Sequence, residues 1–418
     1  MMEHFSHYCQ GESHKATDKP CQDCAYSEVT DSYSMGIVCD GHGGERYFRS
    51  QEGSRIATEV TKEALKVFVE TLPESVYSKS LGKPLFEGMP FIQYSQADAS
   101  IIAPEYHKQS KLIHEALSAL FASIISQWNI KIALHATEHP LNEWEQEHVE
   151  KKYQDEFFSK LNDDTSGFEK TYGCTLMAYL QTKDYWFAFH IGDGKFLRYQ
   201  MNDGYPVFDQ PIPWDEKCFL NKTTSICDTQ AADEFRYCYQ GDGQFPEAVF
   251  LGSDGMDDSY GDGENLTNFY IQLYKLVAKQ GKEKALKELQ KSLPLISKRG
   301  SKDDMSVVCI YNEDNLQNNA FSLVEYQLQL IEKQRDAAGK KIIELRQKIE
   351  AYGSPETLSQ SDQINLQYAM KDLDKAENLE KRLWSRNMNL CKEAKSFNNN
   401  EQESSCEEEL LSEEPDKD

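Results

Sequence analysis

The sequence predicts an α+β layered domain followed by a helical appendage. Three observations predict it. Short apolar runs each stop at a turn rich in Asp and Gly, and stretches between them carry apolar residues at helical spacing. Late in the chain the pattern changes to an unbroken three-four apolar rhythm.

Residues 1 to 33 are polar and read as loop, with Cys24 to Val29 as a first strand. Met35 to Cys39 is a short apolar run, a buried strand that stops at Asp40-Gly41-His42-Gly43-Gly44. The glycines let the backbone approach an ion or a phosphate with no Cβ in the way. Ser54 to Leu72 places Ile56, Val60, Leu65, Val67 and Phe68 at helical spacing. Leu72 to Ser110 is rich in Pro and Gly, and its length suggests a lid or an insertion. Leu112 to Ala136 reads as a long apolar helix and Asn142 to Leu161 as a charged amphipathic one. From Gly173 the period shortens. Thr175 to Leu180, Tyr185 to Ile191 and Lys195 to Tyr199 read as a three-stranded meander, turning at Thr182-Lys183-Asp184 and Gly192-Asp193-Gly194. A loop region follows to about Pro246. Ala248 to Leu251 is then a strand ending in Gly252-Ser253-Asp254-Gly255, Leu266 to Leu293 a helix, and Met305 to Tyr311 a strand entered through Ser301-Lys302-Asp303-Asp304.

Past Asn312, Phe321, Val324, Leu328, Ile331, Arg335, Ala338, Ile342, Leu345, Ile349 and Tyr352 step by three and four. Gly353-Ser354-Pro355 breaks the helix, and a second seam runs through Leu366, Ala369, Leu373, Ala376, Leu383 and Leu390, interrupted by Glu380 and Asn387. Two such helices predict an antiparallel hairpin within one chain. The predicted organisation is residues 1–315 as the layered domain, 316–395 as the hairpin and 396–418 as an acidic disordered tail.

The 418 residues carry a formal charge of −25, from 45 Lys and Arg against 70 Asp and Glu. No basic footprint offers itself to nucleic acid or to an anionic membrane. The N-terminus lacks the basic-then-apolar pattern of a signal peptide, and no run is expected to be apolar enough to span a bilayer. Eleven cysteines, several within strand-like runs, fit packing in a reducing compartment, so the expected location is the cytoplasm. The Cys21-Gln22-Asp23-Cys24 motif lacks the second pair of a zinc ribbon.

Asp40, His42, Asp193, Asp254, Asp258, Asp303 and Asp304 all sit where an apolar strand meets a turn, and Asp23 lies near the N-terminus. Strands that are neighbours would gather these carboxylates at one rim. There they repel one another and rise in pKa unless cations fill the gap. Oxygen ligands favour Mg²⁺ or Mn²⁺, and a pair of such ions about 3.5–4 Å apart activates water against a phosphate ester.

Five motifs in this order, Asp40-Gly41-His42-Gly43-Gly44, Gly173-Cys174-Thr175, Gly192-Asp193-Gly194, Ser253-Asp254-Gly255 and Lys302-Asp303-Asp304-Met305-Ser306, resemble the protein phosphatase 2C family of metal-dependent serine/threonine phosphatases. Gly11-Glu12-Ser13-His14 with Pro20-Cys21-Gln22-Asp23 is similar to the form in a bacterial branch. The resemblance covers about residues 8 to 312. It implies a four-layer α-β-β-α sandwich of two antiparallel sheets flanked by helices. It also implies a phosphorylated protein as substrate and two Mg²⁺ or Mn²⁺ ions per site, with a third, weaker ion.

By the same resemblance, Asp40 bridges the metals, the Gly41 carbonyl binds one, and Asp254 and Asp303 complete the other's shell. Asp23 holds a water of that shell. His42 is the general acid, and Asp193, with Asp254 and Asp258, holds the third ion. The chain departs from the family at three places. Gln22 replaces a Glu, Asp18 stands where animal relatives have a phosphate-gripping Arg, and Asp304 stands where Asn is usual. His14 or Lys15 then becomes the candidate phosphate ligand, with Gln22, Asp258 and Asp304 beside the metal ligands. The rival expectation is a catalytically weak sensor or scaffold acting through the hairpin, itself a candidate surface for a protein partner.

Overall fold

The computed structural model describes residues 1–77, 91–92, 104–162, 167–218, 222–241, 243–261, 263–353 and 358–399. Its strands are β1 (Met2–Cys9), β2 (Cys24–Val29), β3 (Tyr33–Cys39), β4 (Phe91–Ile92), β5 (Leu176–Thr182), β6 (Trp186–Ile191), β7 (Lys195–Asn202), β8 (Tyr205–Asp209), β9 (Arg236–Gln240), β10 (Ala248–Gly252) and β11 (Met305–Asn312). Its α-helices are α1 (Glu12–Ala16), α2 (Ser50–Thr71), α3 (Glu74–Tyr77), α4 (Pro104–Glu138), α5 (Glu143–His148), α6 (Lys151–Asn162), α7 (Ala231–Glu234), α8 (Asp254–Tyr260), α9 (Gly263–Gln280), α10 (Lys282–Arg299), α11 (Leu316–Ala351) and α12 (Gln360–Asn399). One sheet has the order β1-β11-β10-β7-β8 and the other β2-β3-β5-β6-β9-β4.

Period-two alternation makes the layers. On β3, Met35, Ile37 and Cys39 face a core shared with Ile56, Val60 and Leu65 of α2 and with Leu117, Phe121 and Trp128 of α4. Val38 faces the opposite way, into a core between the sheets with Val249, Leu251, Val308 and Ile310. On β10 the intervening Phe250 stacks on Tyr270 of α9, the outer layer of the other side. The expected four-layer sandwich is therefore what the chain builds.

Several local expectations are corrected. The N-terminal residues are not loop: β1 pairs along its whole length with β11, from Met2 opposite Asn312 to Cys9 opposite Met305. As an edge strand it needs few apolar residues, and Phe5 alone is fully buried. The meander is also wrong. β5 and β6 pair with each other, but β7 pairs with β10 in the other sheet, so the Gly192-Asp193-Gly194 turn crosses between sheets. Gly192 adopts a φ of +125°, which a glycine supplies without strain. Gly281, with φ +81°, divides the predicted helix 266–293 into α9 and α10, and Val149-Glu150 divides 142–161 into α5 and α6. The long loop to Pro246 contains β8, α7 and β9.

Lys111–Glu138 of α4 is long and apolar enough to cross a membrane by length and composition, contrary to expectation. The reason is packing: Ile113, Leu117, Phe121, Ile124, Trp128 and Ile132 form one face buried in the core. The expected lid at 73–110 lies largely outside the described residues. So does the acidic tail beyond Asn399.

The chain divides into two compact units, and the second comprises residues 317–399 with 204–206 among the described residues. Within it Val324, Ile331 and Ala338 pack with Leu383 and Leu390. Phe321 meets Phe397, and Arg335 lies 3.8 Å from Glu380, so the helices run antiparallel.

Candidate metal and phosphate site

Antiparallel pairing puts the end of β3 beside the start of β2, with Cys39 opposite Cys24, and the end of β10 beside the start of β11, with Gly252 opposite Val307. Asp40, Asp23, Asp254 and Asp303 are the residues just beyond those ends. A hydrogen bond joins the two sheets there, the Ser306 hydroxyl donating to Asp23 Oδ2 at 2.7 Å, while the Ser306 amide donates to Ser253 Oγ at 2.9 Å within its own sheet.

The carboxylates converge. Burial pushes Asp40 well above the ordinary carboxylate range, and the charges of Asp254, Asp23 and Asp303 push it further. Asp254 beside it raises Asp40, while the contact with Asp40 lowers Asp254. Asp254 is pushed up to about 6 by burial and by Asp193, Asp303 and Asp258. Asp23 is raised by burial and then by Asp304, opposed by the Ser306 and Ser253 hydroxyls. Its Oδ1 is buried with no hydrogen-bond partner. Burial also raises Asp193 and Asp258, against Thr223 and Lys195 at the first and with Asp257 at the second. Neighbouring acids that shift one another upward form an oxygen-donor set short of positive charge.

The Asp40 to Gly44 turn is held from behind. Gly41 donates its amide to the Gln22 carbonyl at 3.1 Å, and a Cβ at Gly41 would lie 2.8 Å from that oxygen and 2.9 Å from Ser50. Any side chain here would push the turn off its seat. The Gln22 side chain donates to the His42 carbonyl at 3.2 Å and to the Ser50 hydroxyl, so Gln22 braces the backbone. The Asp40 carbonyl accepts from Thr175 and the His42 amide donates to Gly173, which gives the Gly173-Cys174-Thr175 motif its place. The His42 ring lies edge-on to Tyr47 with centroids 4.8 Å apart. Burial lowers its pKa to about 4, so the imidazole is neutral at pH 7.

The structure redirects the N-terminal motif. Asp304 accepts from the Gly11 amide at 2.6 Å and the Gln22 amide at 2.5 Å, and lies 2.9 Å from His14 Nδ1. Burial alone would raise its pKa, but these partners hold it below the usual range. Ser13 donates its amide and its hydroxyl to the Lys302 carbonyl. Gly11, Ser13 and His14 thus lock the loop that carries Asp303. His14 is buried, with Nδ1 turned to Asp304. It also lies 3.9 Å from Asp303, and the three side chains offer ligand atoms within 4.8 Å of one another. Lys15 is exposed at the end of α1.

The cation that sequence reasoning missed is Lys19. Its Nζ donates to the Gly43 carbonyl, and its charge is favoured by Asp303 and Asp304 although burial lowers its pKa. The only signal was its place three residues before Gln22. Asp18, at the position of the animal Arg, is exposed with a left-handed φ of 57°, which Asp tolerates. Cys21 and Cys24 are pushed up by burial and are poor redox groups.

The protein phosphatase 2C family matches residues 10–293. No curated protein matches the chain. Similar solved structures include a bacterial serine phosphatase, 14% identical over 74% of this chain and 97% of that one, with a TM-score of 0.39. Another is the catalytic domain of the serine threonine protein phosphatase PstP in complex with two manganese ions, 15% identical over 74% and 97%, with a TM-score of 0.37. A third is PppA from Pseudomonas aeruginosa, 14% identical over 74% and 97%, with a TM-score of 0.40. The family match spans well over half of the chain, and the protein belongs to the protein phosphatase 2C family of protein-serine/threonine phosphatases.

Proposed function

We propose that the protein hydrolyses phosphoserine and phosphothreonine esters of proteins with the help of two Mg²⁺ or Mn²⁺ ions at the Asp40 rim. The observation that carries this reading is the convergence of Asp40 and Asp254 with Asp23, Asp193, Asp258 and Asp303 on one rim, where their charges push Asp40 and Asp254 upward. The donor set fits hard divalent cations: it is all oxygen, and a buried Asp23 oxygen lacks a donor. Asp40 and the Gly41 carbonyl would hold one ion, Asp40, Asp254 and Asp303 the other, and Asp193 with Asp258 a third, weaker one. Bound there, the ions would sharpen a water for attack at phosphorus and spread charge from the phosphoryl oxygens.

The chain's own residues do the rest. Asp23, fixed by Ser306, positions water through its open oxygen. Lys19 offers the ammonium for the phosphate, since its contact with a neutral carbonyl is readily exchanged for an oxyanion. His42 is neutral in the free protein. An arriving phosphate dianion raises its pKa, and the ring can then deliver a proton to the leaving seryl or threonyl oxygen.

The ten cysteines among the described residues are free thiols, which supports a reducing compartment such as the cytoplasm. The hairpin of α11 and α12 is read as a surface for a protein partner. Tyr368, Met370, Trp384 and Met388 are exposed on α12. The test is phosphate release from a phosphopeptide and from an aryl phosphate, with Mg²⁺, Mn²⁺ or chelator. Activity that ignores chelator, or that survives Asp40→Asn in full, rejects the proposal. Two-ion binding by calorimetry separates an enzyme from a scaffold, which has no need of them.

A further inference from the structure

Trp214 is a large aromatic side chain left 52% exposed, yet its backbone is anchored on both sides. The carbonyl of Pro213 accepts from Arg236 Nη1 at 2.8 Å. Asp215 is buried, accepts from the Thr224 hydroxyl at 2.8 Å, and lies 3.7 Å from Arg236 Nε. The same buried guanidinium donates from Nη2 to the Gly192 carbonyl at 2.6 Å, in the turn that carries Asp193. One arginine therefore anchors both the backbone that carries Trp214 and an edge of the acidic rim.

Lys195 links the indole to the rim. Lys195 Nζ sits 3.9 Å from the ring centroid and 3.4 Å from Asp257 Oδ2. Lys195 pairs with Gly252, two residues before Asp254. An apolar plate held rigid beside a reaction centre costs little entropy when a ligand lies on it.

From this geometry we infer that Trp214 sets substrate preference, stacking on an apolar or aromatic side chain near the phosphorylated residue. The inference rests on the phosphatase reading above and names the substrate class of that same site. Lys195 decides the chemistry of the neighbour. Its ammonium occupies one face of the ring, so a second cation on the other face would meet a ring already drained by the first. An aromatic or aliphatic side chain meets no such penalty. The overall charge of −25 pulls the other way, towards basic peptides, but salt screens it beyond about 8 Å whereas Lys195 acts in contact.

The experiment uses the full chain with Mn²⁺ and phosphothreonine peptides of Ala, Gly and Ser. A single Phe is walked from four residues before the phosphothreonine to four after. The readout is kcat/KM for each Phe peptide divided by that of the Ala peptide, within the same variant. One register is expected to give a ratio of about five, the gain an added aromatic contact provides. Trp214→Ala should bring that ratio to one and Trp214→Phe should retain part of it. Arg at the same register should give less than Phe. A flat walk, a ratio that survives Trp214→Ala, or an Arg peptide better than the Phe peptide overturns the inference. An aryl phosphate run in parallel separates the failures: turnover of that ester with a flat walk rejects only the role of Trp214. No turnover of any ester rejects the phosphatase reading and this inference with it.

Discussion

Replacing Asp254 with Asn should make the metal-free protein more stable at pH 8 while ending its activity. The structure fixes the size of the effect. Asp254 stands at about 6 against an ordinary 3.8, a difference of about 2 pH units. At about 1.4 kcal/mol per unit this is roughly 3 kcal/mol of cost carried by the ionised site. The sign follows from the direction. A carboxyl whose folded pKa is raised contributes its stability below pH 3.8 and loses it as pH rises through about 6, so above pH 7 the whole cost is present. Asn cannot ionise and removes it, and it also relieves Asp40, which Asp254 pushes upward. In a domain of this size, at about 2.1 cal/mol/K of unfolding entropy per residue, 3 kcal/mol corresponds to roughly 5 °C in Tm. The assay is thermal and urea unfolding in chelator between pH 4.5 and 8, read through tryptophan fluorescence. Trp128 and Trp186 are fully buried and report on the layered unit. The gap between variant and wild type should open with rising pH and shrink to about 1 kcal/mol at pH 4.5. Added Mn²⁺ should stabilise the wild type by mass action and the variant far less. A gap that is absent at pH 8, or equal at both ends, would refute the claim that the acids share one electrostatic site.

Lys19→Met should raise KM for an aryl phosphate about tenfold, the value of a charged hydrogen bond, and a fall in kcat with unchanged KM would show that Lys19 does not hold the ground-state phosphate. The His42 ring should titrate near pH 4 by NMR in the free protein and move upward when inorganic phosphate is added with Mn²⁺, whereas a midpoint near 6.5 would contradict its burial. Asp304→Ala strands the Gly11 and Gln22 amides and His14, so it should cost about 2–4 kcal/mol in urea unfolding. Deleting residues 321–418 should leave aryl phosphate turnover within about twofold and abolish capture of a partner, as expected when surface recognition and chemistry occupy separate elements.

The layers were legible because alternation and helical spacing report burial, and burial is what layers are made of. Met35, Ile37 and Cys39 point one way and Val38 the other, and the string of letters shows both. The hairpin was legible for the same reason. Even its flaws pair off: the Arg335 that interrupts one seam faces the Glu380 that interrupts the other. Partner choice was not legible. Lys195 to Tyr199 looks like the third strand of a meander, because nothing in its own residues says that β10 rather than β6 will accept its hydrogen bonds. The edge strand β1 was missed because one paired flank and few buried residues leave little apolar signal.

At the site, residue type and motif order located the acids but could not divide them. Asp254 and Asp304 look alike in sequence, each an aspartate at the junction of turn and strand. Both are taken out of water, and the fold treats them in opposite ways. Asp304 is given two backbone amides and an imidazole, and its charge is held. Asp254 is given four other carboxylates, and its charge is resisted. An acid that is satisfied by its own chain is a fastener, and here it ties the N-terminal segment to the loop bearing Asp303. An acid left unsatisfied among its peers persists only because two packed sheets hold it there, and what relieves it has to come from outside the chain. His14 and Lys19 illustrate the same division among the bases: the first is spent on Asp304, while the second leans on a neutral carbonyl and stays free to meet an anion.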